Sequence, residues 1–433
     1  MWPKCRILAI VLLDTGSILW DHVDNQRYGI IHTKSWYLNM LEPIRPFSKR
    51  ITKIEVSAIK QMALKAMEYQ NVVSFGWGVP SFRTKEGIRD AVREAFQNDP
   101  HVDKYAPVPG LFALREKIAR TWPKRYGFEI SPKEVLVSAG AMEAMMGLMM
   151  VLFDPGDEVL IMDPGFASHI EEMEVTGLVP SFVHLDESKG WGLTERALQD
   201  AISEKSRGII IINPNNPTGH MYTREDIELL ARTAVRHNLW LIVDEPYEYL
   251  VFDGKKLFHP LLVPEARNNV IAVHSFSKKF AMTGWRVGYF VGSEELVKEF
   301  MKFHDNTIVS APRISQIAAL AALDIPDSAF ADELKEMHAR RDLICHWLDK
   351  MPDLFTYVRP TGAYYIFPKI IAPGFNDITL ANHLLEEVQV VTTPGSAFGP
   401  RGANHLRFTF SGTQEEINEG MERILKWWEA ERK

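Results

Sequence analysis

A lysine, an arginine and two serines lie close together in one short stretch of the sequence. Ser275 and Ser277 flank a phenylalanine just ahead of Lys278, and Arg286 follows eight residues after the lysine. A lysine amine can bond covalently to a carbonyl carbon, while hydroxyls and a guanidinium can hold an anion. A lysine after a strand is also commonly a solvated loop residue, so this stretch predicts a site only if other polar groups converge on it.

Two more polar clusters follow apolar runs. Residues 213–219 read Asn-Pro-Asn-Asn-Pro-Thr-Gly and come after four isoleucines at 209–212, and Asp-Glu-Pro-Tyr at 244–247 ends a second such run. Alone, the first cluster fits a tight proline turn and the second fits a helix cap. The carboxyl ends of parallel strands meet at one edge of a sheet, where α/β sheets bind ligands, so the clusters together predict one site.

The elements that must position these groups alternate along the chain. Amphipathic stretches of helix length separate short apolar runs, which is typical of α/β folds whose largely parallel strands are buried on both faces. Thr223 and Asp226 approximate a capping box and predict a helix over 224–237. The predicted strands are 134–137, 158–162, 208–212, 240–243, 270–273 and 287–291.

After residue 310 the pattern becomes that of a second, smaller α+β domain. Its predicted elements are a helical region 316–351, short strands at 364–367 and 406–410, and a final amphipathic helix over 414–433. A long helix within 41–75 would pack with this domain. We therefore expect an extension of residues 1–40, a small domain made of 41–80 and 320–433, and a large domain of 81–319.

The composition is that of a globular protein, since 46% of the 433 residues are hydrophobic and 24% are charged. With 49 basic and 56 acidic residues the net charge is −7, which argues against a surface built for a nucleic acid backbone. The only cysteines, Cys5 and Cys345, are too few for a disulfide framework or a cysteine-rich metal site. We expect no metal ion, no nucleic acid partner and a cytoplasmic location.

The N-terminal segment contains one short apolar run, residues 7–13. It is far shorter than the roughly 20 residues that span a bilayer, so no membrane partner is expected. The run is at the lower limit for a signal peptide, and Asp14 interrupts it. We therefore favour an unfolded extension, or a reading frame opened too far upstream with Met40 as the true start, over a signal peptide for export.

Four motifs together make the sequence resemble the class I and II aminotransferases, which have fold type I of the pyridoxal 5′-phosphate enzymes. They are the Ser-Phe-Ser-Lys stretch with its arginine, Asn-Pro-Asn-Asn-Pro-Thr-Gly, Asp-Glu-Pro-Tyr, and Leu-Arg-Phe-Thr-Phe at 406–410. The motifs follow the family's order, and the resemblance covers about residues 41–433. It implies pyridoxal 5′-phosphate as cofactor and a mostly parallel seven-stranded sheet, flanked by helices, in the large domain.

The resemblance implies a role for each residue around the cofactor. Lys278 would bond its carbonyl carbon and move a proton as general acid and base. Asp244 would keep the pyridine nitrogen protonated, so that the ring can accept electrons. Asn216 and Tyr247 would hydrogen-bond the phenolic oxygen. Phe166 would stack on the ring, although it also fits an ordinary core phenylalanine.

The cofactor phosphate needs several donors. The resemblance places it at the glycine-containing turn around Gly140, where the backbone N–H groups of Ala141 and Met142 begin a helix and face the anion. Tyr105 would reach the phosphate from the partner subunit, which implies a homodimer with shared active sites. The remaining donors would be Ser275, Ser277 and Arg286.

Substrate-binding residues are implied in the same way. Arg407 would take the α-carboxylate through two hydrogen bonds, although an arginine at a strand end also fits a surface ion pair. Gly78 would offer its backbone N–H to the same carboxylate, and Asn216 would also contact the substrate. The loop departs from the family pattern at Val79 and Ser81, where acidic residues are more usual.

The side-chain pocket lacks the cations that aspartate-type enzymes of the family use. Asn306 stands at the position of their partner-subunit arginine, and Met142 stands where others have a lysine. A second carboxylate buried opposite no cation is costly, so acidic donors are disfavoured unless another basic residue intervenes. Trp77, Phe166 and Tyr364 instead predict an apolar pocket for aromatic, branched or thioether side chains.

We therefore predict transfer of an amino group from an L-amino acid to a 2-oxo acid by a ping-pong cycle. The same residues would also support β-elimination from cysteine S-conjugates or a related lyase reaction. A non-catalytic cofactor-binding regulator is disfavoured, because the 40 residues before Leu41 leave no room for a DNA-binding domain. The presence of Lys278, Asp244 and Arg407 is a second argument against a non-catalytic protein.

Overall fold

The computed structural model describes residues 10–13, 17–20, 29–32, 47–52, 54, 56 and 58–432. The chain forms two compact units, Met1–Lys53 and Ile54–Lys433. In the first unit, three short strands pair into an antiparallel sheet and a short helix follows them. These elements are Ile10–Leu13, Ser17–Trp20, Gly29–His32 and Lys49–Thr52. The prediction of an unfolded or absent extension falls largely on residues outside the described ones.

A mostly parallel seven-stranded sheet organises the second unit, as predicted. Six strands run in one direction, and Gly288–Val291 is antiparallel to both of its neighbours. The sequence patterns had identified six of the seven strands. The strand order is Val135–Ser138, Gly288–Val291, Val270–Ser275, Trp240–Asp244, Ser206–Ile212, Glu158–Asp163 and Val179–His184.

The strand that the patterns missed, Val179–His184, lies at the edge of the sheet. Its sequence contains Pro180 and its first four residues are partly or fully exposed. Proline is tolerated at an edge because one side of the strand needs no ladder hydrogen bonds. An edge strand therefore does not need the continuous apolar run by which the other strands were found.

Helices cover both faces of the sheet and bury its strands. Ile209 to Ile212 are each at most 3% exposed, although their side chains alternate between the two faces. Thr223 and Asp226 form the predicted capping box at the start of the helix Arg224–Arg236. The other helices between Glu86 and Ala322 are Glu86–Asn98, Phe112–Tyr126, Ala141–Leu152, Ala167–Thr176, Glu195–Asp200, Glu294–Thr307 and Arg313–Ala322.

Apart from the hydrophobic cores on the sheet, a further core joins residues near the start of the unit to its C-terminal part. The strand Val73–Ser74 pairs in parallel with Val390–Val391, which ties residues within the predicted 41–75 segment to the C-terminal elements. The predicted helical region 316–351 is divided into Arg313–Ala322 and Ala331–Leu348, and Pro326 lies in the connection, where no helical N–H is needed. The helices of this core are Ala58–Ala66, Ala331–Leu348, Asp377–Val388 and Gln414–Glu431.

Short strands complete this part of the molecule. Tyr365–Ile366, Leu406–Thr409 and Thr393–Pro394 form a three-stranded antiparallel sheet in which Thr393 lies opposite Arg407. A further antiparallel pair joins Phe355–Thr356 to Lys369–Ile370. In the part of the chain that the structure describes, no helix is both long enough and apolar enough to cross a membrane.

Candidate active site

The three predicted polar clusters meet at the carboxyl edge of the seven-stranded sheet. A cavity of about 350 Å³ lies there, and the last residues of three parallel strands, Ile212, Asp244 and Ser275, line it. The predicted site residues that line it are Trp77, Gly78, Ala141, Met142, Phe166, Asn216, Asp244, Tyr247, Ser275, Ser277, Lys278, Arg286 and Arg407.

A second cavity is larger, about 680 Å³, and lies beside the edge strand Val179–His184. None of the predicted site residues, all of which fall within 58–432, lines it. Its charged side chains largely neutralise one another, with Lys369 lying 3.5 Å from Glu187 and Arg196 3.6 Å from Asp200. The smaller cavity is therefore the candidate active site, because the predicted polar residues line it and not the larger one.

Lys278 follows the strand Val270–Ser275 and enters the cavity half-buried. Its ammonium donates to the Gly78 carbonyl oxygen at 2.7 Å. Burial, together with the charges of Arg407 and Arg286 and against the opposing charge of Asp244, lowers the pKa of Lys278 from 10.5 to about 8. A larger fraction of this amine is neutral near neutral pH than for an ordinary lysine, which suits a nucleophile and a proton carrier.

Asp244 ends the strand Trp240–Asp244 and is almost completely buried, with 4% of its surface exposed. One carboxylate oxygen, Oδ2, lies 3.3 Å from Nε2 of the buried His169. The other, Oδ1, has no hydrogen-bond partner among the described residues. A buried oxygen without a donor is costly, so this position suits a ligand that supplies an N–H group.

An anion cradle forms where the helix Ala141–Leu152 begins. Gly140 precedes the helix with a positive φ of 89°, and a side chain there would place Cβ only 2.5 Å from Nη2 of Arg286. The first N–H groups of a helix have no acceptor within it and attract anions. The hydroxyl-bearing residues Ser275, Ser277 and Thr283 line the same cavity.

A half-buried carboxylate supports the turn of this cradle. Glu143, in the first turn of the helix, accepts a hydrogen bond from the backbone N–H of Ala139 at 3.1 Å. Its other oxygen lies 3.1 Å from Nδ1 of His304, a fully buried side chain on the helix Glu294–Thr307. These contacts tie the turn to a neighbouring helix and hold its backbone in place.

Two tyrosines form the wall beside Asn216. The hydroxyl oxygens of Tyr247 and Tyr365 lie 2.8 Å apart, and both side chains are buried. Burial raises the pKa of both hydroxyls. Tyr365 raises the pKa of Tyr247 further, whereas Arg407 and the hydrogen bond with Tyr247 partly offset the rise in the pKa of Tyr365. Both therefore keep their protons at neutral pH and can act as hydrogen-bond donors.

Arg407 lies at the base of the cavity with 2% of its surface exposed. Its guanidinium donates to Asn216 Oδ1 at 3.2 Å, to Thr393 Oγ1 at 3.3 Å and to the Gly76 carbonyl oxygen, and it lies over the Tyr365 ring at 4.7 Å. No carboxylate of the described residues lies within 4 Å of it, and its Nε has no partner. A buried guanidinium without a counter-ion suits an anionic ligand.

Gly78 packs too tightly for any side chain, because an added Cβ would lie 2.0 Å from Tyr365 Oη. Its carbonyl oxygen accepts hydrogen bonds from Lys278 and, at 2.9 Å, from Tyr364 Oη. Tyr364, predicted as a pocket wall, does not line the cavity, whereas Tyr365 does. Trp77 lines it with 62% of its surface exposed, which places it at the opening.

Three other predicted residues have different placements. Phe166 lines the cavity half-buried, with its ring edge-to-face against His169 at 5.2 Å. Gly140 does not line the cavity, but a side chain there would meet Arg286. Tyr105 is 80% exposed and does not line the cavity of its own chain, so its predicted role in a partner's site stays a prediction.

Several cavity residues carried no sequence motif that could have identified them. Lys60 comes from the helix Ala58–Ala66, and Tyr365 adjoins a tyrosine that was chosen in its place. Ser168 follows Phe166 by two residues, and a hydroxyl there is a weak but readable signal for a polar ligand. The others, Val79, Ile212, Pro246 and Thr283, lie within or beside the motifs but were not predicted as site residues.

A buried polar group lies next to the site along the chain. Glu245, which follows Asp244, has one oxygen 3.5 Å from Nε2 of His259 and 3.8 Å from Nε2 of His274. The Nδ1 atom of His259 accepts the backbone N–H of Leu261, so the neutral ring carries its proton on Nε2. That proton faces Glu245, which suits a hydrogen bond and not a metal ligand.

Comparison with known proteins agrees with this geometry. The family described as "Aminotransferase class I and II" matches residues 70–424. The chain is 34% identical to an aspartate aminotransferase of Pyrococcus horikoshii, over 89% of this chain and 98% of that protein. It is 33% identical to aromatic-amino-acid aminotransferase 2 of Thermococcus litoralis, over 88% and 97% of the two chains. The solved aspartate aminotransferase of Thermus thermophilus with maleate superposes with a TM-score of 0.83 at 32% identity, covering 88% of this chain and 100% of that one.

The chain belongs to the class I and II aminotransferases. It is an aminotransferase that uses pyridoxal 5′-phosphate and acts on amino acid and 2-oxo acid substrates, as the motifs predicted.

The residues of the cavity fit this cofactor. The unpartnered Oδ1 of Asp244 can accept a bond from a protonated ring nitrogen. The missing side chain of Gly140 leaves space beside Arg286 for a phosphate, and the Lys278 amine faces the same cavity.

Proposed function

We propose that the chain transfers the amino group preferentially from L-amino acids with apolar, aromatic or thioether side chains. The cavity wall carries this proposal, because Trp77 and Phe166 line it and Met142 stands where a lysine would read a second carboxylate. Arg313 is not free to replace that cation, since its guanidinium lies 3.0 Å from the Asp99 carboxylate. The aromatic-amino-acid aminotransferase among the relatives supports the same preference.

Each residue around the cavity has a proposed task. Pyridoxal phosphate supplies an electrophilic carbonyl carbon and a ring that accepts electrons. Lys278 removes and returns a proton at the substrate Cα, and Asp244 holds the ring nitrogen protonated. Asn216 and Tyr247 donate to the phenolic oxygen. The phosphate is held by Ser275, Ser277, Arg286 and the N–H groups of Ala141 and Met142.

The same contacts orient the substrate. Arg407 pairs with the α-carboxylate, and its bonds to Asn216 and Thr393 fix the plane of the guanidinium. Because donor and acceptor share this one carboxylate site, the donor's 2-oxo product must leave before the acceptor enters. This order is a ping-pong cycle.

We also propose a homodimer with shared active sites and, from the cysteine-poor sequence, a cytoplasmic location. The high exposure of Tyr105 on its own chain supports the shared site. A complementation experiment tests it: equal amounts of Tyr105→Ala and Lys278→Ala chains are unfolded together and refolded. Mixed dimers should regain one intact site and up to about a quarter of wild-type activity, whereas unshared sites would give no gain over the separate variants.

The central experiment measures kcat/KM across a panel of L-amino acids with a fixed 2-oxo acid. We expect apolar and aromatic donors to exceed aspartate, and a preference for aspartate over all of them would contradict the proposal. Release of pyruvate and ammonia from cystathionine without a 2-oxo acid would instead indicate a lyase. Lys278→Ala should abolish both transfer and the visible absorbance of the bound cofactor.

A further inference from the structure

Asp163 is a buried carboxylate that the proposed mechanism does not use. It ends the strand Glu158–Asp163, its side chain is completely buried, and it comes three residues before Phe166. The backbone N–H of Arg401 donates to both carboxylate oxygens, at 3.0 Å and 3.2 Å, and Nδ1 of His184 lies 2.7 Å from one of them. A carboxylate taken fully out of water is costly unless donors surround it, so these contacts hold Asp163 in one position.

The loop that carries Arg401 is shaped around this carboxylate. The loop consists of residues 395–405 and leads into the strand Leu406–Thr409. Gly399 has a positive φ of 112°, and a side chain there would place Cβ only 2.4 Å from Oδ1 of Asp163. Glycine therefore lets the loop approach closely enough for its N–H group to reach the carboxylate.

A second contact joins the same loop to the turn before Phe166. The backbone N–H of Gly165 donates to the Phe398 carbonyl oxygen at 2.8 Å, and the Phe398 ring lies 4.9 Å from the guanidinium carbon of Arg407. Phe398 thus contacts the turn through its backbone and the proposed carboxylate-binding arginine through its ring. Together with the Asp163 contacts, it ties the wall that carries Phe166 to the wall that carries Arg407.

The segment that begins at Asp163 brings several groups to the active site. Phe166 and Ser168 line the cavity, and Nε2 of His169 lies 3.3 Å from Oδ2 of Asp244. The segment is therefore held at one end by the contact between His169 and Asp244. The donors around Asp163 hold its other end, and Phe166 lies between the two.

We propose that Asp163 is a positioning residue that holds the Phe166 ring against the cofactor and in a fixed relation to Arg407. The proposal rests on the proposed placement of pyridoxal phosphate, in which Phe166 stacks on its ring. Stacking depends on the separation and offset of the two rings, so a small shift of the turn weakens it. His184 and Arg401 line the larger cavity and not the active site, so they act on the ligand only through Asp163.

The test is a double-mutant cycle on the affinity of the cofactor-free protein for pyridoxal phosphate, measured by absorbance titration. The variants are Asp163→Asn, Phe166→Leu and the double variant. Asparagine keeps the size of the side chain, but it cannot accept from all its neighbours because its amide nitrogen is a donor. We expect each single variant to lose about five- to tenfold in affinity, and Asp163→Asn to cost less than about twofold when residue 166 is already leucine.

Asp377→Asn is the matched control. Asp377 is also buried, and its two oxygens accept the backbone N–H groups of Ser396 at 2.8 Å and Asn404 at 3.3 Å. It therefore anchors the same loop, but from the helix Asp377–Val388. This variant should lower the midpoint of thermal unfolding about as much as Asp163→Asn and keep its cofactor affinity within about twofold of the wild type.

Additive losses in the cycle would overturn the proposal, because Asp163 would then act independently of Phe166. An equal loss of affinity in Asp377→Asn would also overturn it, since the loop as a whole would be responsible. Wild-type affinity in Phe166→Leu would mean that this ring does not stack on the cofactor, and the role of Asp163 would be wrong. A preference for aspartate in the donor panel would instead contradict the proposed function and leave the result of the cycle unchanged.

Discussion

The hydroxyl oxygens of Tyr247 and Tyr365 lie 2.8 Å apart in the buried wall of the cavity. The Arg407 guanidinium lies 4.7 Å from the Tyr365 ring, so this tyrosine connects the proposed carboxylate site to Tyr247. If Tyr247 donates its proton to the cofactor's phenolic oxygen, Tyr365 must supply the proton between the two hydroxyls. Hydrogen bonds in such a chain strengthen one another, so Tyr365 would make Tyr247 a better donor.

Tyr365→Phe should therefore weaken the proposed bond from Tyr247 while keeping the aromatic ring over Arg407. The loss of one buried hydrogen bond, about 1 kcal/mol, corresponds to about a fivefold fall in kcat. Since Tyr247 would stabilise the ionised phenolic oxygen less well, the pH at which the bound cofactor changes its visible absorbance should rise. Spectrophotometric titration measures this shift.

Tyr357→Phe is a matched control for this prediction. The Tyr357 hydroxyl donates to Asp349 at 2.7 Å and does not line the cavity. It should lower stability without moving the spectral titration. An unmoved titration in Tyr365→Phe would mean that the hydroxyl pair serves packing alone.

The lowered pKa of Lys278 should appear in the stability of the cofactor-free protein. Between pH 8 and 10.5 the unfolded chain holds a proton on this amine that the folded chain has released, so the free energy of unfolding rises with pH in this window. The gain is about 3 kcal/mol and is complete above 10.5. Urea unfolding of the wild type and of Lys278→Met isolates it, because other titrating groups act equally in both. A difference between the two proteins that stays flat from pH 8 to 10.5 would contradict the assigned pKa.

The sequence predicts most of this fold because buried parallel strands must be apolar throughout. Six strands were found in this way, including the fully buried edge strand Val135–Ser138, whereas the edge strand Val179–His184 escaped because it is partly solvated. The division into a large domain of 81–319 and a small domain stays a prediction. Three hydrophobic cores support it: two lie on the sheet, and the third unites residues 62–75 with 337–428, although it also takes in Ile212, Tyr247, Leu250 and Phe252.

Residues of the candidate site were predictable where they lie in contiguous motifs at strand ends. Tyr365 shows why others were not. Tyr364 and Tyr365 are adjacent, but neighbouring side chains of an extended segment point to opposite sides, and the register with Leu406–Thr409 decides which one faces the cavity. Lys60 is brought to the site only by the packing of its helix against distant strands, which no local spacing encodes.

Gly140→Ala should weaken cofactor binding through the phosphate. The substitution imposes a positive φ on a residue with a side chain, costing about 1 kcal/mol, and drives Cβ into the Arg286 guanidinium. We expect at least a tenfold loss of affinity for pyridoxal phosphate, with a much smaller loss for pyridoxal, which lacks the phosphate. Absorbance titration with the two compounds measures both.

Gly127→Ala separates backbone strain from this contact. Gly127 also has a positive φ, 79°, at the end of the helix Phe112–Tyr126, but a Cβ there would meet no described atom within 4 Å beyond its chain neighbours. It should lose similar stability and keep its affinity for pyridoxal phosphate. Equal losses of affinity in both variants would show that Gly140 acts only on stability.

Replacing Arg407 by lysine keeps a positive charge in the cavity but removes the planar pair of donors. A lysine cannot bond both carboxylate oxygens in the same plane, and it gives up the contacts to Asn216 and Thr393. We expect kcat/KM to fall roughly 30- to 100-fold for every amino acid, corresponding to about 2–3 kcal/mol. Arg341→Lys is the control, since Arg341 is equally buried but bonds Asp253 away from the cavity. It should lower the midpoint of thermal unfolding and leave the donor panel unchanged. If Arg407→Lys affected only acidic donors, Arg407 would be reading the side chain and the α-carboxylate would have to bind elsewhere.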